Sequence, residues 1–219
     1  MKIAIVDFDG TLYPNETFAL MMRHLKEHPV HSKRYRFFMA RMLPVYTAYK
    51  CKLYPEAKMR EYSMRTFIAS FGDTAEEEVR LFFSELGKTM RDQLNTKMIE
   101  RIVKHMQDGY TIMIVSGAYD LLLHAVTEDL EIDTIVGTNI PFKNEKVDNS
   151  TPVIHINGLK KQEKIYECID KDSVDWENSY AYGDSYSDLP VLELVGNPVA
   201  VNPDSRLQEV AQDKKWDIL

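Results

Sequence analysis

The chain has 219 residues, 44% of them hydrophobic and 28% charged, a balance that excludes a mainly disordered protein and allows a sizeable buried core. That length suits one large domain, or one domain carrying a smaller insertion. The formal net charge of −7 makes nucleic acid a poor general partner, and no window approaches the ~18–20 uninterrupted apolar residues of a membrane span.

Residues 2–6, Lys-Ile-Ala-Ile-Val, are a short β-branched run without polar alternation, which predicts a strand buried on both faces and ended by Asp7-Phe8-Asp9-Gly10-Thr11. No hydrophobic leader or cleavage site precedes it, and a cytoplasmic location is expected. From about Glu16 to Asp108 the period is helical: apolar residues recur at three and four in Phe18, Met21, Met22 and Leu25, in Leu81, Phe82 and Leu86, and in Met98, Ile99, Ile102, Val103 and Met106. Pro29, Pro44, Pro55, Gly72 and Gly87 are expected to divide this stretch into five helices. A second core strand is predicted over 110–115, stopping at Ser116-Gly117 before a helix over 121–130, and a third strand over 134–136. Residues 143–150 are polar and hairpin-like. A helix over 160–169, a strand over 179–182 ending in Gly183-Asp184, a short helix over 189–194 and a last edge strand over 199–201 complete the chain. Alternating strands and helices imply a Rossmann-like, doubly wound α/β core with a parallel sheet, and the long helical stretch reads as an insertion after the first strand. Ligands bind such sheets beyond the carboxyl ends of the strands, which nominates Asp7, Asp9, Ser116 and Asp184.

Charge is unevenly spread. Residues 20–65 hold eleven basic and three acidic side chains, a balance of +8 that leaves −15 for the rest. Such a segment can steer a small anion, or simply be a set of solvated helix faces. Residues 34–50 are both basic and apolar, so they admit association with an anionic membrane surface or a lipid phosphate substrate. The plainer reading makes their Met and aromatic side chains the core of the helical insertion. Cys51 and Cys168 lack any zinc or redox spacing and read as reduced thiols.

Two carboxylates two residues apart at the end of a buried strand need a cation to offset them, and Asp184 and Asp188 add two more at another strand end. Hard oxygens without a His or Cys cluster favour Mg²⁺. Asp7-Phe8-Asp9-Gly10-Thr11-Leu12 resembles the DxDGT signature of the haloacid dehalogenase superfamily, Val115-Ser116-Gly117 its second motif, and Gly183-Asp184-Ser185-Tyr186-Ser187-Asp188-Leu189 its fourth. The third motif is a lysine, sought among Lys160, Lys161 and Lys164; Lys161 is preferred because Lys161-Gln-Glu163-Lys-Ile165 is similar to the spacing of the phosphoserine phosphatases, with Lys164 the alternative.

The resemblance implies a catalytic core of residues 1–16 and 93–219 with a helical cap over 17–92, as in the phosphoserine phosphatase-like subclass. It implies phosphoryl transfer with Asp7 as nucleophile and Asp9 as general acid and base, an Asp that the carbon-attacking dehalogenases usually lack. Asp7, the Asp9 carbonyl and Asp184 would bind Mg²⁺, with Asp188 in its outer sphere orienting water or the lysine. Ser116 and Lys161 would hold the phosphoryl group, joined by Thr11 and Gly117 in the loops around it. Asn15-Glu16-Thr17 is similar to a phosphoserine phosphatase segment whose Glu faces the substrate ammonium, although Glu16 could equally sit in a first helical turn and residues 30–65 do not match that cap. A small phosphorylated metabolite is therefore the expected substrate. Transfer to a second hydroxyl, as in a phosphotransferase or mutase, and a non-catalytic anion-binding protein are the rivals.

Overall fold

The computed structural model describes residues 1–219. Strand β1 (Ile3–Val6) is followed by five helices, α1 (Thr17–Glu27), α2 (Ser32–Lys50), α3 (Glu56–Ala69), α4 (Glu76–Arg91) and α5 (Thr96–Gln107). Then come β2 (Thr111–Tyr119), α6 (Asp120–Val126), β3 (Thr134–Thr138), β4 (Phe142–Lys143), β5 (Lys146–Val147) and α7 (Leu159–Cys168). The chain closes with β6 (Tyr180–Gly183), α8 (Leu189–Leu192), β7 (Asn197–Ala200), α9 (Ser205–Lys214) and β8 (Asp217–Ile218).

Six strands form one parallel sheet in the order β3-β2-β1-β6-β7-β8. After β1 the chain builds outward through β2 and β3, then crosses to the other side for β6, so the strand order reverses at β1. A crevice opens beyond the strand ends at such a point. Alternation along β1 sends Ile3 and Ile5 into a cluster of 15 buried apolar residues on one face, and Ala4 and Val6 into a cluster of 34 on the other. The larger cluster continues from the sheet into α1, α3 and α4 through Met21, Leu25, Phe67 and Phe82. No helix is long and apolar enough to cross a membrane.

Five helices are present, but two of their expected dividers lie inside helices. Pro44 is within α2, and Gly87 is within α4, where a Cβ would come within 2.6 Å of Ala125 Cβ on α6. Gly87 permits close helix contact there rather than a stop. The second strand also runs past Ser116-Gly117 to Tyr119, with its pairing to β3 shifted between Val115 and Tyr119. The expected edge strand at 199–201 is interior, because the two-residue strand β8 pairs outside it. The hairpin expectation holds: β4 and β5 pair across Asn144 and Glu145, both with positive φ.

Candidate active site

Three neighbouring strands deliver the nominated side chains to one place. Asp7 follows β1, its N–H continuing the ladder by donating to Tyr182 O (2.9 Å), and it is only 7% exposed. Lys161, in the first turn of α7, is buried and donates from Nζ to Asp7 Oδ1 at 2.5 Å and to Asp188 Oδ1 at 2.6 Å. Asp188 spends its other oxygen on the loop after β6, accepting from Ser185 N (3.1 Å) and Ser185 Oγ (3.2 Å). Both its oxygens are thus engaged within the chain. Lys164, the alternative lysine, points elsewhere and pairs with Glu167 on the exposed side of α7.

Each of Asp7, Asp184 and Asp188 offers an oxygen within 4.8 Å of the others'. Gly10, at φ +77°, is what lets the loop after β1 close on Asp184: a Cβ there would lie 2.1 Å from Asp184 Oδ2. Gly183 does the same for Asp188, whose Cβ would be 2.7 Å from an added Cβ. Three carboxylates against one ammonium leave negative charge in excess. Burial pushes the Asp7 carboxyl well up against the pull of Lys161, and Asp188 and Asp184 raise it further. Asp184 is pushed up to about 7 by burial and then by Asp188. Burial alone would draw Lys161 down, but the Asp188 and Asp7 carboxylates outweigh it and hold the ammonium protonated. All the donors are hard oxygens short of positive charge, which is the chemistry that suits Mg²⁺.

Asp9 turns toward the helical insertion. Its Oδ1 accepts from Thr17 N and its Oδ2 from Thr17 Oγ1, both at 3.1 Å, so it caps the start of α1. Burial, and then Glu16, push its carboxyl up to about 7 despite the Thr17 bonds. Near neutrality such a group can both give and take a proton.

Ser116 is buried inside β2, its Oγ accepting from Ala118 N at 3.1 Å and its hydroxyl hydrogen left for another acceptor. Gly117 lies under His155: a Cβ would meet His155 Cε1 at 2.5 Å. Thr11 departs from expectation. Expected beside the phosphoryl group, it is fully buried and its hydroxyl has no hydrogen-bond partner within the chain. Its backbone carbonyl instead accepts from Asn95 Nδ2 at 3.2 Å. Glu16 is well exposed, with Arg60 Nη1 of α3 at 3.9 Å.

Comparison with known proteins fits this arrangement. The sequence matches the haloacid dehalogenase-like hydrolase family over residues 4–193, a span that takes in every strand-end carboxylate just described. The chain belongs to that family. Among curated relatives, the inhibition of morphological differentiation protein of Streptomyces azureus is 33% identical over 118 residues, 54% of this chain and 43% of that protein. A phosphoserine phosphatase of Archaeoglobus fulgidus is 26% identical over 160 residues, 71% of this chain and 46% of that protein. The chain thus spans less than half the length of either relative. A solved structure of a Bordetella pertussis protein of unknown function superposes with a TM-score of 0.78 at 18% identity, covering 100% of this chain and 97% of that one, and it shares the fold.

In this family member two further residues support the site that sequence reasoning passed over. Asp204 caps α9 through Leu207 N (2.8 Å), and also receives Tyr186 N on Oδ2 at 2.9 Å while donating its own N–H to Asp184 O at 2.7 Å. It ties the Asp184 loop to the next helix. Its signal was the Asp-Ser start of an apolar periodic stretch, which reads as a cap alone. His155 is the one polar residue in the apolar run 152–156; burial holds its pKa down and its Nδ1 is buried without a partner. Nothing in its sequence neighbours announces the contact with Gly117.

Proposed function

We propose that the chain is a Mg²⁺-dependent phosphatase that hydrolyses a small phosphomonoester through an aspartyl-phosphate on Asp7. The observation that carries this reading is a buried strand-end carboxylate 2.5 Å from a buried ammonium, within a carboxylate group that one lysine does not neutralise. An isolated structural ion pair would need no second and third carboxyl.

Asp7 attacks phosphorus as its P–O(ester) bond breaks, and Asp9 gives its proton to the departing oxygen. Asp9, now a carboxylate, then takes a proton from the water that attacks phosphorus, and the Asp7 O–P bond breaks to release phosphate. Lys161 offers positive charge to the phosphoryl oxygens and Ser116 its hydroxyl hydrogen. Asp7, Asp184 and the Asp9 carbonyl would hold Mg²⁺, which when bound withdraws negative charge from the transferring group. Asp188 keeps Lys161 and the Ser185 loop in place.

Residues 17–92 act in this reading as a helical cap on a core of residues 1–16 and 93–219. The bonds of Asp9 to Thr17 and the approach of Arg60 to Glu16 support it, because they bring α1 and α3 to the reacting carboxylates. The leaving group would then meet Glu16 and Arg60. A substrate amine at Glu16 would displace Arg60, so phosphoserine competes here with other small phosphates, including those bearing an anionic group for Arg60.

The test is phosphate release, with Mg²⁺ and with EDTA, from phosphoserine, phosphocholine, phosphoethanolamine, sugar phosphates and nucleotides. Metal-dependent turnover that Asp7→Asn abolishes, with an unchanged circular dichroism spectrum, is the expected outcome. Full activity of Asp7→Asn would overturn the mechanism, and no turnover of any substrate by the folded, Mg²⁺-supplied protein would overturn the activity.

A further inference from the structure

The distal half of α2, the turn after it and the proximal half of α3 form an arm with no fully buried side chain, held to the core only by the partly buried Met59 and Tyr62 of α3. From residue 43 to residue 62 no side chain is buried, whereas Phe38 and Met42 before it and Ser63 and Met64 after it are. Such a stretch is usually polar, and this one is not. Six of the thirteen large apolar side chains that the molecule exposes lie within residues 30–53, Leu43 at 61% and Leu53 at 81% exposure among them. Met39, Leu43, Tyr46 and Lys50 recur at four, three and four, which lines them along one side of α2 leading to Leu53 at the turn.

The α2 side of this arm and the turn after it carry one sign of charge, while Glu56 and Glu61 stand on its α3 side. Residues 28–55 contain six cations and no Asp or Glu. Arg34 is committed inward, to the Ser70 and Phe71 carbonyls. The other five, Lys33, Arg36, Arg41, Lys50 and Lys52, are exposed and form no ion pair. Arg41 lies over the Phe37 ring at 4.7 Å and Lys50 over Tyr46 at 5.3 Å, so cations and aromatic faces share a surface.

We propose that this arm docks on an anionic lipid bilayer, with Leu43, Tyr46 and Leu53 entering the interface and the five cations meeting lipid headgroups. Charge complementarity chooses the occupant. Two copies joined arm to arm would set like charges face to face across a small apolar stripe. An arm laid on the acidic body of another copy would make a heterologous contact, which builds a ring or a filament, and would leave the apolar side chains Leu43 and Leu53 against charge. A nucleic acid would take the cations and leave Leu43 and Leu53 in water. A bilayer satisfies both halves, and its negative surface repels the rest of the chain, which carries −13 outside residues 28–55, so the arm is the side that approaches. This docking is independent of what the site hydrolyses.

The experiment is co-sedimentation of the whole protein with phosphatidylcholine vesicles and with vesicles carrying about 30% phosphatidylglycerol at about 0.1 M salt. Light scattering of the vesicle-free protein is recorded in parallel. Wild type should sediment with the anionic vesicles only. Lys50→Ala/Lys52→Ala should weaken partitioning on the order of thirtyfold, and Leu43→Asp/Leu53→Asp at least about tenfold. All four side chains are exposed and outside the site, so circular dichroism and phosphate release from a soluble substrate should be unchanged. Equal partitioning with and without phosphatidylglycerol, no sedimentation with either, or wild-type binding by Leu43→Asp/Leu53→Asp would overturn the proposal. So would a dimer that Leu43→Asp/Leu53→Asp converts to monomer, which would make a second copy the occupant.

Discussion

Replacing Lys161 by Met keeps the length and apolar stem of the side chain but removes the ammonium between Asp7 (2.5 Å) and Asp188 (2.6 Å). Three carboxyls then remain within 4.8 Å of one another with no cation among them. Breaking a buried pair by deleting one partner costs about 3–5 kcal/mol. At roughly 2.1 cal/mol/K per residue, a 219-residue chain unfolds with an entropy of about 460 cal/mol/K, so the metal-free variant should melt about 7–11 °C below wild type near pH 8. The deficit has a sign in pH. A carboxyl whose folded pKa is raised lends stability that is full below its unfolded pKa and is lost as pH rises through the folded value. The orphaned carboxyls are of this kind, so the gap should narrow near pH 5.5. Differential scanning calorimetry in EDTA at both pH values measures it, and Lys164→Met, which removes only a surface pair with Glu167, is the control, with an expected change under about 1 kcal/mol. Phosphate release by Lys161→Met should fall by about 10²–10³ or more. A metal-free melting point within about a degree of wild type at pH 8, or a larger loss in Lys164→Met, would refute the reasoning.

Asp184→Asn should raise the melting point of the metal-free protein near pH 8 while abolishing its response to Mg²⁺. A carboxyl pushed up to about 7 carries a penalty at pH 8 of about 4 kcal/mol before discount, and about 2 kcal/mol once its partial solvation is counted, or roughly 4 °C; calorimetry with and without Mg²⁺ reads both effects. Thr17→Val removes the hydroxyl donor to Asp9 Oδ2 and keeps the backbone bond to Oδ1. Because that hydroxyl favours the ionised form, Asp9 should titrate higher, and since kcat/KM covers the step in which Asp9 gives up its proton, the basic limb of that profile should move to higher pH; an unmoved profile would disconnect Asp9 from proton transfer.

The sheet was legible because strands buried on both faces read as uninterrupted apolar runs, as β1 and the start of β2 do, and the carboxylates of the candidate site follow where such runs stop. Lys161 was preferred among three lysines on motif spacing, with Lys164 the alternative. Spacing along α7 separates Lys161 from Lys164, but only packing decides which face of that helix meets Asp7. Pro44 and Gly87 misled for a related reason: each has a local preference that tertiary structure overrode, Gly87 through its contact with Ala125. Strand β8 is two exposed residues, too short for any period. His155 and Asp204 join the site through chain segments far from the motifs, Asp204 by the backbone of Asp184 itself, and such long-range contacts leave no periodic trace.

The two glycines show why this charge cluster survives folding. Gly10 and Gly183 let backbone close on Asp184 and Asp188 at distances that any side chain would forbid. The carboxyls therefore cannot spread apart to relieve their repulsion without opening the loops after β1 and β6, both anchored in the sheet through the Asp7 and Val201 backbone bonds to β6. Repulsion that geometry cannot relieve can be lowered only by protons or cations. Lys161 supplies one fixed positive charge, and burial first, with the neighbouring carboxylates after it, raises the pKa values of Asp7 and Asp184. A phosphate dianion brought to Asp7 would add to that excess. Its binding and that of a divalent cation must then be mutually favourable, since each offsets the charge that opposes the other, and by linkage the coupling is the same in both directions.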